Sequence, residues 1–250
     1  VIAWIVTGAV IILSITVGAA SGSNGAKDAV DVPAVQQTDT AIDEAEPVET
    51  PAEEVAEEPA EEPAATAATW ANARWGEFAA VEQSGTGDSL ITLPEGATGG
   101  IVTATHSGQR NFAISVLDAS NASTGELLVN TIGAYSGTTA WGINALGEGA
   151  RLQVTADGDW TITISPMGAA PMLASAGTGD AVFLYDGGAA ALAATHDGQS
   201  NFAIIEETSE VFHMGLLVNE IGAYSGTVPL AAGPSVIEVT ADGNWTLAVQ

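Results

Sequence analysis

The chain of 250 residues carries 31 acidic side chains against four basic ones, a formal net charge of −27, and it has no cysteine. That balance argues against nucleic acid and anionic membrane surfaces as partners, since both are held by positive charge. The missing cysteines exclude a disulfide framework, a zinc–thiolate site and a thiol nucleophile.

The first segment is "VIAWIVTGAVIILSITVGAA", residues 1–20, and it holds no charged residue. Twenty apolar or small residues rising 1.5 Å each reach about 30 Å, the thickness of a bilayer core. A transmembrane helix or uncleaved signal anchor is expected there. The alternative is a cleaved signal peptide, with the small residues of "VGAAS" serving the peptidase. The acidic sequence that follows is expected outside the cytoplasm. The expected location is thus the cell membrane, single-pass, with an extracellular C-terminal region; cleavage would make the protein secreted.

The second segment, residues 21–69, is rich in Ala, Glu and Pro, as in "EAEPVETPAEEVAEEPAEEPAATAAT". It holds 13 acids between Asp28 and Glu62 and no aromatic residue. Like charges repel, and there is little apolar surface to bury. A disordered, extended spacer is expected.

From Trp70 onward the sequence changes to Gly, Thr, Val, Ile and Trp in short alternating runs, and an internal repeat appears. "GTGD" at 85–88 returns at 177–180, and "THSGQRNFAI" at 105–114 returns as "THDGQSNFAI" at 195–204. "LLVNTIGAYSGT" at 127–138 returns as "LLVNEIGAYSGT" at 216–227, and "VTADGDWTI" at 154–162 as "VTADGNWTL" at 239–247. Two copies of one unit are expected, over 70–168 and 169–250. Short alternating runs separated by Gly-rich turns predict an all-β fold. In the first copy strands are expected near 88–93, 100–105, 110–117, 126–131, 134–141, 150–155 and 159–165. Seven such strands indicate a β-sandwich of jelly-roll or immunoglobulin-like kind. The lead-in "TWANARWGEFAAVE" fits either a short helix or an extended strand.

The turns invite a local reading. In "LQVTADGDWTI" a three-residue loop at Ala156-Asp157-Gly158 places Val154 opposite Trp160 and Leu152 opposite Ile162. Such a G1-bulge hairpin needs a left-handed glycine at Gly158, and at Gly243 in the second copy. The same register in "IVTATHSGQRNF" places His106, and His196 in the second copy, at the first loop position. They are expected to be solvated turn residues rather than ligands. His213 has no counterpart in the first copy.

The order GTGD, THxGxxNF, LLVNxIGAYSGT, TADGxWT, behind a hydrophobic segment and an acidic Pro/Ala spacer, resembles uncharacterised actinobacterial membrane-anchored or secreted proteins. The resemblance covers most of the chain. It implies an exported cell-envelope protein and carries no activity with it.

The copies have diverged unevenly. The LLVN–SGT stretch matches at 11 of 12 positions and the His-Gly stretch at 8 of 10. The polar residues in these stretches are candidates for a ligand-binding patch: His106, Asn111, Asn130 and Tyr135, with His196, Asn201, Asn219 and Tyr224. A glycan or an extracellular protein is the expected partner. Asp157, Asp159 and Asp242 lie in Gly-rich turns and are weak candidates for calcium; no other cofactor is expected. No nucleophile elbow and no phosphate-binding loop before a helix appears, so the chain is not expected to be an enzyme. The expected function is non-catalytic: an extracellular cell-envelope protein displaying two sandwich modules for ligand binding or adhesion. The alternatives are a secreted glycan-active enzyme or accessory module, and a calcium-stabilised structural surface protein.

Overall fold

Sixteen strands and one α-helix make up the computed structural model of the protein, which describes residues 66–143, 146–210 and 215–250. The expected membrane segment and the spacer up to residue 65 lie outside the described residues, as does His213. The spacer expected over 21–69 is too long at its C-terminal end, because α1 (Ala67–Trp75) already begins at Ala67. Thr66 caps it by accepting the Thr69 N–H at 3.2 Å. A hydroxyl at the N-cap satisfies one of the free N–H groups of the first turn. Ala67, Ala71 and Trp75, four residues apart, form its buried face. The ambiguous lead-in is therefore a helix over its first part.

The first copy contains β1 (Val81–Thr86), β2 (Ser89–Thr92), β3 (Gly100–His106), β4 (Asn111–Leu117), β5 (Ser123–Ile132), β6 (Tyr135–Trp141), β7 (Arg151–Thr155) and β8 (Asp159–Ser165). They form two antiparallel sheets, ordered β1-β8-β3-β6 and β2-β7-β4-β5. Both sheets contribute to one core that includes Ile91, Val102, Phe112, Ile114, Trp141, Leu152, Trp160 and Ile162. The second copy repeats the plan with β9 (Ala176–Thr178), β10 (Ala181–Tyr185), β11 (Ala190–His196), β12 (Asn201–Thr208), β13 (Leu216–Ile221), β14 (Tyr224–Leu230), β15 (Ser235–Thr240) and β16 (Asn244–Val249). Its sheets run β9-β16-β11-β14 and β10-β15-β12-β13 around a core with Phe183, Leu192, Phe202, Ile237, Trp245 and Leu247.

Each copy is thus a β-sandwich of eight strands rather than seven. The added strand is the first, β1 or β9, which leads into the GTGD turn. Eight strands in this order are a jelly roll and not an immunoglobulin arrangement.

The hairpin reading of the turns is overturned. β7 pairs with β2 and β4, while β8 pairs with β1 and β3. Val154 therefore lies opposite Ser89 and Ile114, not Trp160. Likewise β3 and β4 sit in different sheets, so "HSGQR" crosses from one sheet to the other. Inward alternation on both sides of a turn is common to a hairpin and to an arch between sheets, and local periodicity does not separate them. Gly158 and Gly243 are also not left-handed. They are glycines because two crossings touch. A Cβ on Gly158 would stand 2.6 Å from the backbone nitrogen of Gly108, and one on Gly243 2.5 Å from that of Gly198.

A third apolar cluster joins the two sandwiches. It combines Ala67, Ala71 and Trp75 of α1 with Ile101 and Ala140 of the first copy, the intervening Met167 and Ala170, and Val182, Leu184 and Val236 of the second. Arg74 extends the contact by donating to the Thr208 carbonyl at 2.8 Å and pairing with Glu207. The copies are complete cores that share a buried seam.

Candidate functional site

Much of the sequence matching between copies is explained by packing inside each copy. Trp160 donates its indole N–H to the Gly87 carbonyl at 2.8 Å, and Trp245 does the same to Gly179 at 2.9 Å. Gly87 and Gly179 hold φ of +75° and +72°, a region that disfavours side chains. Gly85 and Gly177 lie against these indoles, and a Cβ at either would fall within 2.5 Å of the ring. Asp88 and Asp180 each accept a backbone N–H, from Ala156 and Ala241, at 3.0 Å. GTGD and TADGxWT are therefore two halves of one local structure, distant in sequence.

The histidines have a similar task. His106 and His196 are each only 4% exposed, so the solvated-turn reading is wrong. Their rings stack on Phe112 and Phe202 with centroids 4.4 and 4.5 Å apart. Nδ1 donates to the Gly133 carbonyl at 2.8 Å in one copy and to Gly222 at 2.9 Å in the other. Nε2 faces Asp157 at 3.4 Å and Asp242 at 3.3 Å. The same carboxylates hold the crossing: Asp157 accepts from the N–H groups of Gln109 and Arg110, Asp242 from those of Gln199 and Ser200. The Arg110 N–H bond leads the causes that hold the Asp157 carboxyl below its usual range. For Asp242, desolvation pushes upward, but the N–H bonds from Gln199 and Ser200, with its own backbone N–H and the nearby His196, hold this carboxyl low as well. Asp159 accepts from the Thr86 hydroxyl at 2.5 Å. Among the described residues no group of three His, Asp or Glu side chains is placed to hold a metal ion.

Tyr135 belongs to the seam. It packs against Phe112 and donates its O–H to Asp180 of the second copy at 2.8 Å. The Thr138 N–H donates to the Asp180 carbonyl at 3.0 Å, and the Ala140 N–H to Glu238 at 2.9 Å. Burial raises the Asp180 carboxyl and pushes Glu238 up to about 7, with the charges of Asp180 and Glu126 adding to the second. Tyr224, the counterpart of Tyr135, packs on Phe202, and among the described residues its hydroxyl has no hydrogen bond to another module.

The four asparagines remain without such an account. Asn111 lies opposite Ile132 and Asn130 opposite Ala113 on the outer face of β4 and β5. Asn201 lies opposite Ile221 and Asn219 opposite Ala203 on β12 and β13. All four are exposed. Beside them, Ile132 and Ile221 are each 79% exposed, and Leu127 and Leu216 are 55% and 50% exposed. Each copy thus presents one outward row, Leu-Asn-Ile along the edge strand with a second Asn beside it. The sequence reading found the asparagines and missed the aliphatic residues. Their signal was present: apolar residues in a matched stretch suggest core, and only burial shows that these are outside.

The seam also forms a cleft of about 630 Å³. It gathers Asn130 and Tyr135 from the first copy with Asn201 and Asp242 from the second, and Asp180 lines it too. His106 and Asp159 border a separate depression on the β1-β8-β3 face, beside the hydroxyls of Thr86, Thr105 and Thr161. No protein-family model matches the chain, and no curated protein is found similar to it.

Proposed function

We propose that this is a non-catalytic, extracellular cell-envelope protein whose two modules bind a partner through the matched rows of Leu127, Asn130 and Ile132 and of Leu216, Asn219 and Ile221. The observation that carries the reading is their shared exposure. Core packing accounts for identity at Phe112 or Trp160, but it asks nothing of an isoleucine that is 79% exposed in both copies. Apolar side chains flanked by amides suit a ligand with both apolar and hydrogen-bonding surface, such as a glycan face or a protein. The N-terminal segment would anchor the protein in the membrane, and the acidic spacer would hold the modules away from it.

The carboxylates nearest the cleft have other work. Asp180 accepts from Tyr135 across the seam and Asp242 accepts from the Gln199 and Ser200 N–H groups, which favours binding over hydrolysis. The test is titration of the full chain with cell-wall polysaccharides and with envelope proteins. Ile132→Ser with Ile221→Ser should abolish binding while the melting temperature stays within about 2 °C. Turnover of a polysaccharide by the wild-type chain, or unchanged binding by the double variant, would overturn the reading.

A further inference from the structure

Beyond the outward rows, the cleft between the modules has a wall of its own kind. β5 is the last strand of its sheet, and among the described residues no strand pairs with its outer side. Leu127 to Thr131 of this strand line the cleft on one side, and Thr240 to Asp242 of the second module line it on the other. An unpaired strand edge presents N–H and C=O groups in a row, the template for adding one more strand; β5 bulges at Leu128, so its regular stretch at the cleft is Val129 to Thr131. The cleft lining contains two carboxylates, Asp180 and Asp242, and no Lys, Arg or His. β13, the equivalent edge in the second module, has no neighbouring module in the described chain to wall it.

We infer that the cleft binds an extended peptide segment carrying basic side chains, which pairs with β5 as an added strand. Main-chain bonds to β5 supply the alignment, and the acidic far wall selects Lys or Arg over Glu or Asp. The cleft shares Leu127 and Asn130 with the first outward row, but the inference needs the main-chain edge of β5 and not the row's side chains. A strand-adding peptide therefore binds once per chain, whereas a ligand of the rows binds twice.

The experiment is fluorescence anisotropy of the full chain at 150 mM salt with a labelled octapeptide of alternating Lys and Val. Three comparisons accompany it: the Glu/Val octapeptide, and two Lys/Val peptides N-methylated at alternate residues, one on each edge. Expected are 1:1 binding, at least tenfold weaker binding of the Glu peptide, and a similar loss for one N-methylated peptide but not the other. Ser136→Arg, at the exposed cleft border, should weaken binding at least tenfold, whereas Ser225→Arg at the equivalent position of the second module should leave it unchanged. No binding overturns the inference. So does equal binding of both N-methylated peptides, equal loss in the two Arg variants, or 2:1 stoichiometry. A neutral oligosaccharide that binds and is blocked by Ser136→Arg would make the cleft a glycan site instead. Ile221→Ser, on the second module's row and away from β5, should remove one of the two row sites and leave peptide binding intact, which separates failure here from failure of the function proposed above.

Discussion

Tyr135 of the first sandwich donates its hydroxyl to Asp180 of the second at 2.8 Å, whereas Tyr224, at the matching position, meets no protein partner through its hydroxyl among the described residues. One duplicated side chain thus has two environments, and the pair forms an internal control. Tyr135→Phe should lower stability by about 1–3 kcal/mol, because it removes a hydrogen bond to a largely buried carboxylate. Tyr224→Phe should cost less than about 0.5 kcal/mol. Urea denaturation of the two variants measures the difference.

The seam should also respond to pH. Glu238 titrates at about 7 in the fold, above its ordinary value of 4.5. Between these values the folded chain binds more protons than the unfolded one. Stability from this group is therefore fullest below about pH 4.5 and is lost as pH rises through 7. Glu238 lines a cavity of about 220 Å³ and is not wholly shut off from water, so the loss should be about 1–3 kcal/mol. Thermal melts from pH 5 to 8 should show this fall in the wild type. Glu238→Gln should flatten it and be the more stable form at pH 8.

Replacing His106 or His196 with Ala should cost roughly 2–4 kcal/mol. The change opens a cavity beside Phe112 or Phe202 and leaves the Gly133 or Gly222 carbonyl without its donor. Denaturant melts that moved by less than about 0.5 kcal/mol would restore the solvated-turn reading.

Gly158→Ala tests the contact between crossings. Its Cβ would meet the Gly108 backbone at 2.6 Å, and backbone cannot rotate away. A loss of roughly 1–3 kcal/mol is expected. Gly147→Ala, where nothing lies within 4 Å, should be nearly neutral in the same assay.

The second copy has a complete core but depends on the seam. Expressed alone, residues 170–250 would expose Val182, Leu184 and Val236, which are buried in the full chain. Calorimetry should give a cooperative melt well below that of the full chain.

The duplication, the all-β class and the alternation of inward residues were all legible in the sequence, because each leaves a local or repeated pattern. The strands expected at 88–93 through 159–165 lie close to β2 through β8, and only β1 escaped, its Gly85 and polar residues giving no alternating apolar signal. Partner choice was not legible. Val154 and Trp160 face the same core whether their turn is a hairpin or an arch, and only the arrangement of all eight strands decides between them. The same holds for the site. Sequence matching marked Phe112, His106, Asn130 and Ile132 alike, since it records constraint and not its cause. Tertiary packing placed Phe112 and His106 inside and left Asn130 and Ile132 in water, because burial depends on what the rest of the chain brings against each face.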